Sequence, residues 1–298
     1  MQAVKRTFGF IFSHPIAGRR LLQSFARLIT WQIQCRVFPA NLYVKPFIGN
    51  TKFYAGKRMT GITGNIYTGL HEFADMGFLL HFLRPEDCFY DIGANVGAYT
   101  LLASGVCGAQ TIALEPGQQA FVLLQKNIEL NQLSSRVRLL KAGAGAKKDE
   151  VLFSVAEDTT NHVITENERI AGTTSEQVSI LPVDDLFDEN YVSLMKIDVE
   201  GYETEVLSGM QKTLQAPALK AIIIELNGSG TRYGYIEKNI HDLLTANGFS
   251  AFIYDPFSRS LTPSAATGNY NTLFCRNEDM VRQRLKHATV VKVMGETF

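Results

Sequence analysis

Four apolar runs in this chain end on acidic residues at a glycine or a turn, and these acids are the groups able to do chemistry. Asp91 closes Phe89-Tyr90-Asp91-Ile92 before the turn Gly93-Ala94-Asn95-Val96-Gly97, and Glu115 closes Thr111-Ile112-Ala113-Leu114-Glu115. Asp198 and Glu200 follow Leu194-Met195-Lys196-Ile197, and Glu225 with Asn227 ends Ile222-Ile223-Ile224-Glu225-Leu226-Asn227. An apolar run that stops on a carboxyl reads as a buried strand, and open α/β sheets bind ligands beyond the carboxyl ends of their strands. Carboxyl groups gathered there suit three tasks: holding a cation or a ribose diol, accepting a proton, and ligating a hard metal ion.

The glycine turn at 93–97 is where backbone is expected to approach a nucleoside, because glycine leaves no side chain in the way. Nicotinamide, flavin and S-adenosylmethionine enzymes all use such a turn. A dinucleotide fingerprint carries glycine at its second position, so that a pyrophosphate settles on the helix N-terminus. Here Asn95 holds that position, and Asp91 sets a negative charge against a phosphate. A cationic, phosphate-free ligand such as S-adenosylmethionine fits better, with Glu115 where ribose hydroxyls are held. The structural alternative for Asp91 is a turn or helix cap.

An acceptor hydroxyl needs a base, and Asp198, Glu200 and His162 offer one. His162 sits in the polar sequence Asp158-Thr159-Thr160-Asn161-His162, and a lone histidine is more often structural or exposed. Alternatively, Asp198, Glu225 and Asn227 supply hard oxygen ligands for Mg²⁺, which would acidify the hydroxyl. Glu203 reads as an acid complementing a helix N-terminus, worth about 0.3–1 kcal/mol.

The elements that must position these groups follow from periodicity. From about residue 85 onward, strands alternate with amphipathic helices, the pattern of a mostly parallel sheet covered on both faces. Strands are expected at 88–93, 111–115, 137–142, 193–198 and 221–226, with helices near 97–107, 118–131, 201–214 and 235–247. Apolar runs at 151–155 and 178–181 predict an extra β element around a polar loop, 156–177. Runs at 251–254 and 272–275 predict a hairpin edge with one antiparallel strand, joined by the Ser- and Gly-rich loop 258–268. Residues 1–84 read as a separate basic region of helix and short strands, ending in a turn-rich stretch at 61–69.

A chain of 298 residues buries about three-quarters of the surface its unfolded form exposes, so it needs no disulfide or metal staple. Cys35, Cys88, Cys107 and Cys275 show no C-x-x-C and no neighbouring histidine spacing, which argues against a zinc site and for a reducing, cytoplasmic setting. The zero net charge hides an asymmetry: residues 1–71 hold ten Lys or Arg and no Asp or Glu, leaving 19 basic against 29 acidic residues in the remainder. Leu21, Leu22, Phe25, Leu28, Ile29 and Ile33 fall near helical spacing among Arg19, Arg20 and Arg27. This is either a helix packed on the catalytic part with a solvated basic edge, or one in peripheral contact with an anionic membrane at its inner face. No segment reaches transmembrane length, and the apolar run at 8–12 is too short for a secretory signal. A nucleic-acid substrate is not expected, because the catalytic part is acidic and lacks an Asn- or Asp-Pro-Pro-aromatic signature.

Five phrases in consistent order carry a family resemblance: Asp91-Ile92-Gly93-Ala94-Asn95-Val96-Gly97, Glu115-Pro116, Asn127 with Asn131, Lys196-Ile197-Asp198-Val199-Glu200-Gly201-Tyr202-Glu203, and Ile224-Glu225. Over roughly residues 70–275 the chain resembles the FkbM-type S-adenosylmethionine-dependent methyltransferases. The resemblance implies an α/β, Rossmann-like seven-stranded methyltransferase sheet over 85–298, mostly parallel with one antiparallel strand, and the helical and short-strand extension of 1–84 lies before it. It implies methyl transfer to a hydroxyl of a sugar, glycolipid or similar metabolite. Asp91, Gly93, Asn95 and Gly97 would line the cofactor's methionine and ribose, Glu115 would hold the ribose hydroxyls, and Asp198 would face the methyl group and acceptor. Ala142, closing the third expected strand, joins the cofactor set. The competing readings are a nicotinamide-dependent oxidoreductase and a non-catalytic membrane-associated module on the same fold.

Overall fold

The apolar runs that end on acids become neighbouring strands of one sheet in a computed structural model describing residues 2–57, 59–155, 160–186, 192–264 and 271–298. The strands are β1 (Cys88–Ile92), β2 (Gln110–Leu114), β3 (Val137–Leu140), β4 (Val192–Ile197), β5 (Ala221–Glu225), β6 (Ser250–Asp255), β7 (Ser260–Pro263) and β8 (Asn271–Cys275). Their order across the sheet is β7-β6-β8-β5-β4-β1-β2-β3. β1 to β5 run parallel, and β8 runs antiparallel between β5 and β6. Every residue of β1 and β4 is buried, which is why both read as continuous apolar runs. Without β7 this is the expected seven-stranded sheet with one antiparallel member. β7 adds an eighth strand within a stretch read as loop; Leu261 is its one buried side chain, too little to signal a strand. Residues 265–270 of that loop lie outside the described residues.

Helices depart from expectation where backbones approach closely. The stretch 97–107 begins as a short α-helical turn, Ala98–Thr100, and widens into a π-helix over Leu101–Val106. The helix expected at 201–214 splits into Glu203–Ser208 and Gln211–Gln215 around Gly209, where the Gly145 carbonyl occupies the space a Cβ would take. Asp149–Ser154 pairs antiparallel with Ser175–Leu181, which also pairs with Gly143–Ala144. Of the polar loop between them, 156–159, including Asp158 and Thr159, lie outside the described residues.

Residues 1–84 are built into the sheet's own core. They contribute α1 (Gln2–Ser13), α2 (Leu21–Val37), a hairpin of Tyr43–Pro46 with Lys52–Ala55, α3 (Thr60–Thr68) and α4 (Phe73–Phe82). The turn-rich expectation for 61–69 is corrected: it is α3, ended by Gly69 at φ +82°. Gly64 serves close approach and not a turn, since the His71 imidazole lies where its Cβ would be. Ile11, Leu28, Trp31, Phe53 and Ile62 share one apolar cluster with Val96, Leu124 and Ile128.

Two asparagines of α5 (Gln118–Leu130 and the residue capping it) bolt the hairpin to the glycine turn. Asn127 Oδ1 accepts from the Tyr54 N–H at 2.7 Å while its Nδ2 donates to the Val96 carbonyl at 2.8 Å. Asn131 accepts from the Lys52 N–H at 2.8 Å and donates to the Lys52 carbonyl at 2.7 Å. Asn127→Ala strands two polar backbone groups and is expected to cost about 2–4 kcal/mol. Thermal denaturation checks this: a single transition moved downward is the expected outcome, and an unchanged midpoint would mean that the hairpin is not coupled to the sheet.

Candidate active site

The carboxyl ends of β1, β2, β4 and β5 open into one cavity of about 1220 Å³. Asp91 on β1 stands level with Lys196 on β4, and the pairing of Ile224 with Ile197 carries Glu225 alongside Asp198. The cavity lies where the strand order reverses between β1 and β4. Its opposite wall comes from the N-terminal region, which supplies Arg6, Phe10, Gln32, Lys57 and Tyr67.

At the centre is Lys196, whose ammonium is 2.6 Å from Asp198 Oδ2 and 4.9 Å from the centroid of the Tyr99 ring. Burial works against its charge, but Asp198, Glu72 and Asp91 more than offset this and hold its pKa above lysine's ordinary value. Glu72 itself accepts from the Tyr99 hydroxyl at 2.7 Å and from Asn271 Nδ2 at 3.0 Å. Neighbouring Asp75 is pushed up to about 7 by burial and then by the Glu72 charge. The sequence pattern does not single out Lys196, Glu72, Asp75, Tyr99 or Asn271. The available signal is a lone cation inside an apolar strand, and a first acid after 71 residues without one.

The glycine turn is closed on itself. Gly93 and Ala94 N–H groups donate to the Leu114 carbonyl, Asn95 N–H to Glu115 Oε2 at 2.8 Å, Val96 N–H to Asn95 Oδ1 at 2.7 Å, and Gly97 N–H to the Ala94 carbonyl. Glu115 Oε1 accepts from the Gly117 N–H at 2.8 Å, so this one carboxyl ties two strand-end loops together. Glycine here also admits the protein's own atoms: a Cβ on Gly93 would collide with the Asp198 carbonyl, and one on Gly97 with the Leu124 side chain. Both have positive φ, as do the non-glycine residues Asn95 (50°) and Glu200 (54°), strained positions of the kind that cluster at binding sites.

Burial raises the pKa of Asp91, which accepts from the Thr100 hydroxyl at 2.6 Å. It pushes Glu115 up to about 7. Glu200 reaches about 7 and Glu225 about 9, through burial and then the charge of Asp198. Oxygens of Asp198, Glu200 and Glu225 lie within 4.8 Å of one another. Glu203, also about 7 through burial, accepts from the Val199 and Gly201 N–H groups and so holds the loop bearing Glu200.

Of three further residues expected at the site, Asn227 lines the cavity, whereas His162 and Ala142 do not. His162 is buried with Nδ1 2.8 Å from the Thr160 carbonyl and Nε2 2.9 Å from Glu168 Oε1, so both ring nitrogens are engaged within its own loop. Asn227 is exposed at the cavity edge, its Oδ1 accepting from the Ser229 N–H. Ala142 is buried behind the wall that Gly143 and Ala144 form.

These acids make a signed prediction. Their folded pKa values lie above the ordinary carboxyl range, so the folded chain holds protons that the unfolded chain has released, and stability falls as pH rises from about 4.5 to about 7, with Glu225 extending the fall to about 9. Buried His14 and His81, lowered to about 4 by burial, act oppositely only below the ordinary histidine pKa of about 6.5. The melting temperature of the ligand-free protein is expected to drop between about pH 7 and about pH 9, and Glu225→Gln to flatten the drop. A melting temperature that rises over this window would contradict the charge arrangement.

The part of the chain that carries this cavity is similar to known proteins. The family model for the methyltransferase FkbM domain matches residues 91–251. A hexuronic acid methyltransferase, AglP, of Haloferax volcanii is 28% identical over 155 residues, covering 50% of this chain and 59% of the relative. Methyltransferase 1 of Beauveria bassiana is 28% identical over 195 residues, covering 58% of this chain and 76% of the relative. A crystal structure of methyltransferase FkbM from Methylobacillus flagellatus aligns at a TM-score of 0.46 and 14% identity, over 74% of this chain and 55% of that one. The chain thus spans about three-fifths of the haloarchaeal relative. With the family model spanning the glycine turn, all of β1 to β5 beyond Tyr90 and the cavity acids they carry, this chain belongs to the FkbM methyltransferase domain family.

Proposed function

We propose that the protein is an S-adenosylmethionine-dependent O-methyltransferase acting on a hydroxyl of a sugar, glycolipid or similar acceptor. The observation that carries the cofactor reading is the closed turn: every backbone N–H from Gly93 to Gly97 already has a partner, and two buried carboxyls, Asp91 and Glu115, back it. A dinucleotide pyrophosphate needs free N–H donors at that turn, and Asp91 sets a carboxyl against it. That disfavours the nicotinamide reading and favours a cation with ribose hydroxyls. Glu115 oxygens each accept one backbone bond, and a carboxylate oxygen has capacity for a second.

The cofactor supplies a methyl group already activated on a sulfonium. The chain's own task is to place the acceptor oxygen and take its proton, and placement alone is worth about 7–11 kcal/mol of barrier. Glu200 accepts that proton, since a base with a pKa of about 7 is half-ionised at neutral pH. Asp198, anchored on Lys196, holds the adjoining position. A divalent ion would find oxygen ligands in Asp198, Glu200 and Glu225, but Lys196 already supplies a cation to Asp198.

An acidic sugar is the favoured acceptor. Arg6 and Lys57 line the same cavity, and neither forms an ion pair among the described residues. The haloarchaeal relative is a methyltransferase of hexuronic acid.

Incubation with labelled cofactor and a panel of neutral and uronic-acid glycans tests this reading. Label is expected in an O-methyl ether, with turnover rising through about pH 7 and Glu200→Gln lowering kcat by about 10²–10⁴-fold. His162→Ala and prolonged chelation are expected to leave kcat unchanged. Loss on chelation restored by Mg²⁺ would transfer the role to a metal ion, and label in no glycan would overturn the acceptor class.

A further inference from the structure

The helices that wall the cavity carry a second apolar face with nothing on it. On α2, Leu28, Trp31 and Cys35 point into the core, while Leu22, Ile29, Ile33 and Val37 recur at helical spacing on the opposite side. Leu22 is 91% exposed, and Ile29, Ile33 and Val37 are each more than half exposed. Phe12 of α1, 57% exposed, packs its ring 5.5 Å from Phe25 and extends the same surface. Among the described residues, nine of the fifteen exposed large hydrophobics fall within residues 8–44, so this is one concentrated patch and not background scatter.

We infer that this face docks on an anionic lipid bilayer, lying in the interface with its cations among the headgroups. Charge complementarity chooses this occupant. Lys5 and Arg36 are exposed on the two helices, and no acid occurs in the sequence before Glu72. Apposing two copies of this face would set cations against cations, whereas anionic headgroups neutralise them. No helix among the described residues is long and apolar enough to cross a membrane, which fits a surface-lying arrangement.

The same helices reach the cavity from their other sides, through Arg6 and Phe10 of α1 and Gln32 of α2. A docked bilayer therefore lies about one helix diameter, roughly 10 Å, from the cavity wall. An acceptor tethered to lipid is within reach. That last step rests on the methyl-transfer reading, whereas docking does not, so vesicle binding and catalysis fail separately.

Flotation of the full chain with vesicles tests docking directly. Deleting the N-terminal region is no test, because Ile11, Leu28 and Trp31 belong to the core. The wild type is expected to float with phosphatidylcholine vesicles containing about 30% phosphatidylglycerol, to stay free with phosphatidylcholine alone, and to be released in about 0.5 M salt. The variant carrying Leu22→Ser, Ile29→Ser and Ile33→Ser is expected to lose at least about tenfold in partition with its melting temperature retained. Arg36→Glu, which leaves the apolar face intact, is expected to weaken partition as well. Equal partition of wild type and both variants overturns the proposal, as does a wild type that ignores anionic vesicles. A wild-type dimer that the triple variant converts to monomer would assign the face to a second copy instead.

Discussion

A buried ammonium governs this structure. Lys196, next to last in β4, has almost no access to water, and leaving such a charge unpaired would cost several kcal/mol. Its partners come from separate elements: Asp91 from the neighbouring strand β1, Asp198 from its own strand's end, and Glu72 from the start of α4. Satisfying it fixes the register of β4 on β1 and draws α4 against the sheet. The same arrangement keeps several carboxyls at the rim of one cavity, where burial and then their mutual repulsion push Glu200 and Glu225 upward. A site with this surplus of acid is unfavourable when empty and ionised, and it gains when a cation enters.

Glu115 supplies the second constraint. By taking one N–H from Asn95 and one from Gly117, it folds the glycine turn inward and leaves that turn with no donor for a phosphate. Asn127 continues the connection from Val96 to the N-terminal hairpin, so the turn, α5 and residues 52–54 are tied together. The N-terminal region is thereby a wall of the cavity and not an appendage. Its sequence remains unusual for a wall, because one side is core and the other is apolar, basic and uncovered.

The strand ends carrying Asp91, Glu115, Asp198 and Glu225 are legible in the amino-acid sequence, because a doubly covered parallel strand must be apolar throughout and its carboxyl end is free to be polar. What pairs with what is not. The bond from Asn271 to Glu72 joins residues nearly two hundred positions apart, and no local pattern records it. Gly64 and Gly93 read as turn or ligand glycines, because in a sequence a glycine that admits a neighbour's ring or carbonyl looks the same as one that bends the chain. His162 offers the right chemistry in a polar loop, and only the Thr160 carbonyl and Glu168 show that both its nitrogens are spoken for.

The central claim is that the cavity takes a phosphate-free nucleoside bearing an ammonium group, because its turn has no N–H to spare and its acids are buried. Side-by-side calorimetric titration of the purified protein with S-adenosylhomocysteine and with NADH tests it most directly. Saturable binding of the first, with no heat from the second, is the result that the geometry predicts. Binding of NADH without binding of S-adenosylhomocysteine would contradict it.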